Sequence, residues 1–161
     1  MTVTFSADSQ PVIKLIDPSL AEKICRVITA DLPEYFGQPE ANERYAKGMQ
    51  DRISFAASYQ NQHIGLLTLE FPFPNNGNIY WMAIKREFQG SGVGSQLIEQ
   101  AESYSRANGC SSLTVETLSP KNADDNYLKT YSFYEKSGYK PLFELNTYGP
   151  EFLMVYMQKV L

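Results

Sequence analysis

Gln89, Gly90, Ser91, Gly92, Val93, Gly94 and Ser95 follow an apolar run at residues 81–84 and the charged turn Lys85-Arg86-Glu87, and they open an amphipathic stretch. The chemistry such a segment can do is anion binding. A helix N-terminus leaves main-chain N–H groups without intrahelical acceptors and carries the positive end of the macrodipole, and glycines let a phosphate approach closely. The successive amides of residues 90–95 can surround a pyrophosphate, with Gln89 ordering the turn. A nucleotide P-loop needs lysine after Gly94, and Ser95 stands there instead. The dinucleotide pattern fits at Gly90 and Gly92, with Glu116 placed for a ribose, but Ser95 occupies its third glycine position and Lys85 to Gln89 separate the glycines from the strand. A tight strand-to-helix turn with no ligand is the structural alternative.

Composition narrows the partners. A chain of 161 residues with 43% hydrophobic and 20% charged content is expected to be a single globular domain, 1–161, with residues 1–10 as a flexible or edge segment. The net charge of −4 and the lack of clustered Lys and Arg argue against a nucleic-acid partner. Residues 1–10 lack the basic start and apolar run of a secretion signal, and no apolar stretch nears the roughly 20 residues of a membrane span. A cytoplasmic protein without a membrane partner is the expectation. Cys25 and Cys110 are too few for a disulfide framework and are read as buried thiols. His63 is the only histidine, and neither H-E-x-x-H nor C-x-x-C spacing occurs, so no metal is expected. His63 begins a strand after the Asn61-Gln62 turn and reads as a solvated hairpin residue rather than a catalytic one.

The elements that must position the glycine run follow from periodicity and punctuation. A strand at residues 12–16 precedes Asp17-Pro18, a helix start, and a helix to about Ala30. Pro33 and Gly37 punctuate an aromatic stretch before a helix over about residues 40–50. Strands at 53–59 and 64–71 read as a hairpin, and Pro72, Pro74 and Asn75-Asn76-Gly77 are expected to break the chain before a strand at 79–84. After the glycines, Val93, Leu97, Ile98, Ala101 and Tyr104 give one apolar stripe, which Asn108-Gly109 ends. A strand at 113–118, a helix over about 127–137 stopped by Gly138, and strands at 139–145 and 152–158 complete the order β, α, α, β, β, β, α, β, α, β, β.

With Gln89-x-x-Gly92-x-Gly94 in place, the chain resembles the GNAT superfamily of N-acetyltransferases, whose acetyl-CoA signature is Gln or Arg, two residues, Gly, one residue, then Gly or Ala. Phe133-Tyr134-Glu135-Lys136-Ser137-Gly138-Tyr139 looks like the second family motif, and the element order matches from about Val12 to Leu161. The resemblance implies an α+β fold, a central mixed but mostly antiparallel sheet of six to seven strands with about four helices. It also implies two splayed parallel strands that receive acetyl-CoA. Its pantetheine arm would pair with the main chain of Met82, Ala83 and Ile84, and its pyrophosphate would meet residues 89–95. Amide donors near Met82 would polarise the thioester carbonyl.

The implied reaction is direct attack of a primary amine on the thioester, with Tyr134 matching the proton-donating tyrosine. The spacing of Tyr127, Tyr131 and Tyr134 equally suits a packing stripe. Asn78 stands where many members carry a glutamate base and cannot accept the proton; Glu116 and Glu70 are substitutes that could act through water. Family members often place Asn seven residues before the tyrosine; Tyr127 is there, and Asn126, one residue early, is the candidate cofactor contact. The implied acceptor segments are residues 31–50, 71–78 and 146–151. Glu34, Tyr35, Phe36 and Phe71 in them suit a small-molecule amine through carboxylate and aromatic contact. A protein or peptide amine, a catalytically silent acyl-CoA sensor, and a monomer or homodimer are alternatives the sequence leaves open.

Overall fold

The computed structural model describes residues 2–161, which form seven strands and four helices. In chain order these are β1 (Val12–Ile16), α1 (Pro18–Asp31), α2 (Pro39–Gly48), β2 (Ile53–Tyr59), β3 (Gln62–Phe73), β4 (Asn76–Ile84), α3 (Val93–Ala107), β5 (Ser112–Leu118), α4 (Asp125–Lys136), β6 (Lys140–Leu145) and β7 (Met154–Val160). The strands lie in one sheet in the order β1-β2-β3-β4-β5-β7-β6. Pairing is antiparallel for β1–β2, β2–β3, β5–β7 and β6–β7, and parallel for β4–β5. The fold class and element order are those expected from the sequence. Among the described residues no helix is long and apolar enough to cross a membrane.

Internal contacts group the chain into two compact units. The first holds the described residues up to Glu70 together with Tyr80–Tyr104; the second holds Phe71–Ile79 and Ser105–Leu161.

In the first unit, α1 starts where the Asp17 carboxylate accepts from the Leu20 amide at 2.9 Å and Pro18 fills the first turn. Such a cap satisfies a donor that the helix itself cannot. The helix buries Ala21, Ile24, Cys25 and Ile28 in a cluster with Met49, Ala56, Leu66 and Trp81. Strand residues alternate between faces, and the register pairs Ala56 with Leu66 but Phe55 with Leu67 and Ala57 with Gly65. The second set meets α3: Phe55 packs edge-on against Tyr104 at 5.4 Å, and Val93, Leu97, Ile98 and Ala101 are buried. The apolar stripe read from the sequence is therefore the packing face of α3.

In the second unit, β5 buries Leu113, Val115 and Thr117, while the alternating Thr114, Glu116 and Leu118 are half-buried. Helix α4 is capped by Asp124, whose carboxylate accepts from the Tyr127 amide at 3.0 Å. It buries Tyr134 against the edge of Tyr139, with ring centres 5.9 Å apart.

One sequence expectation is corrected here. Residues 72–77 do not break the chain: β3 runs through Pro72 to Phe73, β4 begins at Asn76, and only Pro74 and Asn75 turn. The turn-forming Asn76-Gly77 is drawn into a strand because it pairs with Ser112 and Leu113 of β5, and the Asn75 carbonyl accepts from the Ser111 amide at 2.9 Å. Tertiary pairing outweighs local turn preference.

Candidate active site

The glycine segment is held from both ends. After β4 the Lys85 amide bonds the Ile64 carbonyl at 2.9 Å, and a short 3-10 turn, Arg86–Phe88, follows. The Gln89 side-chain amide donates to the Ile84 carbonyl at 3.1 Å, so Gln89 orders the turn as the sequence suggested. Ser91 donates its hydroxyl to the Phe88 carbonyl. Gly90 and Gly92 take φ of +75° and +90°, a region that side chains disfavour. The bond from the Gln96 amide to the Gly92 carbonyl, 3.2 Å, opens the helical ladder of α3, so the amides of Val93, Gly94 and Ser95 precede it at the positive end of the dipole. A side chain on Gly92 would meet nothing within 4 Å, so the loop is open there to an incoming group.

Gly65, which the sequence reading passed over, seats α3. A Cβ at Gly65 would lie 2.7 Å from the Ile84 Cδ1, 3.2 Å from the Leu97 Cδ1 and 3.4 Å from the Val93 Cγ1. The missing side chain lets the first turn of α3 rest directly on β3. Its signal was a glycine interrupting an otherwise apolar strand, a mark of close approach.

Arg86, also not singled out in the sequence, ties the lead of the glycine segment to the end of α1. Its guanidinium bonds both carboxylate oxygens of Glu34, at 2.5 and 2.8 Å, and the Asp31 carbonyl at 2.8 Å, while its amide bonds the Asp31 carboxylate at 2.8 Å. The guanidinium beside Glu34 holds that carboxyl below the usual carboxylate range. Next in sequence, Phe36 stacks on Trp81 with ring centres 5.4 Å apart, and the Tyr35 ring lies 6.5 Å from Phe36. The structure thus brings the sequence-predicted Glu34, Tyr35 and Phe36 together beside β4 and engages the Glu34 carboxylate with Arg86. Met82, Ala83 and Ile84 are half-buried on β4 itself.

Of the two substitute bases, Glu70 belongs to the first unit. One of its oxygens accepts from both Nε and Nη2 of Arg52 at 2.9 Å, and that guanidinium sits 3.7 Å over the Tyr80 ring. Glu116 lies in the second unit on β5, directly opposite Tyr156 of β7. Asn78, on the short parallel ladder that pairs Asn76 to Ile79 with Ser112 to Val115, accepts from the Thr114 hydroxyl at 2.8 Å. Phe71 is half-buried against the space above Gly77, and Asn126 is half-buried in the first turn of α4. His63 bonds the Ser58 hydroxyl through Nδ1 at 2.9 Å across its hairpin. Burial pushes the Tyr134 hydroxyl well above the ordinary phenol value, so it keeps its proton at neutral pH and has one to donate.

In the first unit the glycine segment can bind an anion at the start of α3; in the second unit the buried Tyr134 phenol can offer a proton and the half-buried Glu116 carboxylate can accept one. The family described as "Acetyltransferase (GNAT) family" matches residues 21–139. Among solved structures, an IAA acetyltransferase from Bacillus cereus aligns with a TM-score of 0.73 at 19% identity, over 94% of this chain and 100% of that one. An aminoglycoside 6'-N-acetyltransferase complexed with coenzyme A aligns with a TM-score of 0.73 at 20% identity, over 92% and 96%. A GNAT family acetyltransferase from Elizabethkingia anophelis with acetyl-CoA bound gives 0.62 at 17% identity, over 78% and 84%. At these identities the likeness is one of fold. The comparison with curated proteins finds no match.

Proposed function

Since the chain belongs to the GNAT family of acetyltransferases, and is thereby an acyltransferase, we propose that residues 1–161 act as one N-acetyltransferase domain that moves an acetyl group from acetyl-CoA to a small primary amine. The observation that carries the donor half is the glycine segment, whose Val93, Gly94 and Ser95 amides precede the first helical hydrogen bond beside open space at Gly92. Gln89, Gly90, Ser91 and Gly92 complete the cradle for the pyrophosphate, and the β4 main chain at Met82, Ala83 and Ile84 pairs with the pantetheine arm. Asn126 is a further donor-side contact.

In the reaction the uncharged amine nitrogen attacks the thioester carbonyl carbon, the carbon–sulfur bond breaks, and the nitrogen loses a proton. Glu116, acting through water, takes that proton. Tyr134 donates its hydroxyl proton to the departing thiolate and recovers one from solvent, leaving an amide and free CoA thiol. Glu116 suits the base better than Glu70, whose carboxylate carries the Arg52 fork. Tyr35, Phe36 and Phe71 line the acceptor side, and Glu34 acts there through Arg86.

Calorimetry with CoA and NADH, paired with CoA release across an amine panel, tests the reading. Binding of CoA alone with turnover of at least one amine is the expected result; preferential NADH binding overturns it. Asn78 in place of a family glutamate favours a second reading, a silent acyl-CoA-binding module, which tight CoA binding with no turnover of any amine would establish.

A further inference from the structure

The residues ahead of β1 pack on the first unit rather than leading away from it. Val3 and Phe5 are half-buried while Thr2, Thr4 and Ser6 are exposed, the alternation of an extended segment with one face turned inward. A turn follows, closed by an antiparallel bridge between Ser6 and Ser9. The Ser9 amide bonds the Ser6 carbonyl at 3.2 Å, and the Gln10 side-chain amide donates to the same carbonyl at 2.6 Å.

What the extended part meets is the lead of the glycine segment. Phe5 lies edge-on to Tyr59 at the end of β2, ring centres 4.8 Å apart, and stacks on Phe88 at 6.3 Å with planes 5° from parallel. Tyr59 and Phe88 close the triangle at 6.1 Å. Phe88 is the last residue of the 3-10 turn and is 6% exposed, and its carbonyl accepts from the Ser91 hydroxyl inside the glycine segment. A Cβ on Gly90 would stand 3.7 Å from the Thr2 Cγ2 and 3.9 Å from its Oγ1, so the same segment reaches the glycine whose φ is +75°. All of these residues belong to the first unit.

Glycines lose more conformational freedom on ordering than any other residue, so a phosphate that needs their amides aligned binds more tightly when the segment is held from outside. Arg86 ties down the first residue of the 3-10 turn, and the Phe5 ring bears on the last. We propose that Phe5 is a positioning residue for acetyl-CoA: set against Tyr59 and Phe88, its ring holds the turn to which Ser91 is bonded and keeps the glycine-segment amides aligned for the pyrophosphate. The inference rests on the acetyl-CoA reading of that segment and adds to it a residue outside every stretch expected to meet the cofactor. Binding free energies are reciprocal, so a ligand that gains from the docked segment must in turn hold it down.

The test is calorimetric CoA binding to the wild type, Phe5→Ala and Phe5→Tyr, with chymotryptic cutting after Phe5 in the wild type followed with and without CoA. A turn that is aligned for only part of the time raises the apparent Kd in proportion. Phe5→Ala is expected to raise the Kd about fivefold, the scale of one aromatic pair, and Phe5→Tyr should recover it. Saturating CoA should slow cutting of the wild-type chain after Phe5 by about the same factor, because cleavage follows the undocked population. A Kd unchanged in Phe5→Ala overturns the proposal, and a lower unfolding midpoint beside that unchanged Kd would give the ring to packing alone. Cutting after Phe5 that CoA does not slow overturns it as well, and that measurement needs no variant to fold. CoA binding that ignores Phe5 leaves the donor reading standing, whereas a wild type that binds no CoA removes both.

Discussion

Arg86 and Glu34 stand 52 residues apart in sequence and meet through a two-pronged contact, guanidinium nitrogens on both carboxylate oxygens at 2.5 and 2.8 Å. Arg86 leads directly into the glycine segment and Glu34 follows α1, so the contact fixes where that segment begins. Arg86→Ala is expected to raise the Kd for CoA about two- to fivefold, the range of a well-formed exposed pair, with turnover at saturating acetyl-CoA unchanged. Arg86→Lys should recover only part of the loss, because a single ammonium cannot reproduce the fork. Calorimetry on the two variants measures this; equal recovery by lysine would reduce the pair to simple charge.

Gly65→Ala places a methyl 2.7 Å from the Ile84 Cδ1 and 3.2 Å from the Leu97 Cδ1. The overpacked interface should cost about 1–3 kcal/mol in a denaturant melt. Because the same shift lifts the first turn of α3, acetyl-CoA affinity should fall along with stability. A destabilised variant with wild-type affinity would show that the helix start adjusts independently of its seat.

Tyr134→Phe removes only a hydroxyl from a buried side chain that is 6% exposed. Loss of a positioned proton donor is expected to lower kcat by about 10²-fold with the KM for acetyl-CoA unchanged. Turnover equal to wild type would assign Tyr134 to packing alongside Tyr139.

Acid should loosen the first unit through Glu43. Hydrogen bonds from Arg26, one of them 2.5 Å long, hold its carboxyl at about 2, well below the ordinary value. A carboxyl with a lower pKa folded than unfolded stabilises the fold fully above its unfolded pKa, and that contribution disappears as pH falls toward the folded one. Melts of wild type and Glu43→Gln between pH 7 and pH 2 should differ most at neutral pH and converge in acid, over a window of roughly 4.3 down to 2.

Cys25 is sealed beneath α1, and burial pushes its thiol up to about 11. Only a thiolate attacks a disulfide reagent at a useful rate. Thiol labelling at pH 8 should leave Cys25 unmodified in the folded protein and label it fully in denaturant.

Much of this structure was legible in the residues, and the part that was not has a common cause. Capped starts such as Asp17-Pro18, stops such as Gly138 and the apolar stripe of α3 are signals within a few residues of one another, and each element lies where they place it. The glycine segment with Gln89 was legible for the same reason. Asn76-Gly77 misled because the strand it joins is completed 36 residues later by Ser112 and Leu113. The Arg86–Glu34 fork and the pairing of Glu116 with Tyr156 are likewise relations between distant segments, and residue type and local spacing carry no trace of a register. Gly65 was visible as an anomaly, but what it makes room for comes from α3.

The parallel pairing of Asn76 to Ile79 with Ser112 to Val115 also orders events at the ribosome. Synthesis delivers β4 first and must then complete the whole of α3 before its neighbour exists. For that interval the nascent chain carries a strand edge with open hydrogen-bonding groups, which other chains can recognise as readily as its own continuation. Translation stalled between Ala107 and Ser112 would leave that edge permanently bare, so prematurely terminated products are the ones this fold exposes to aggregation.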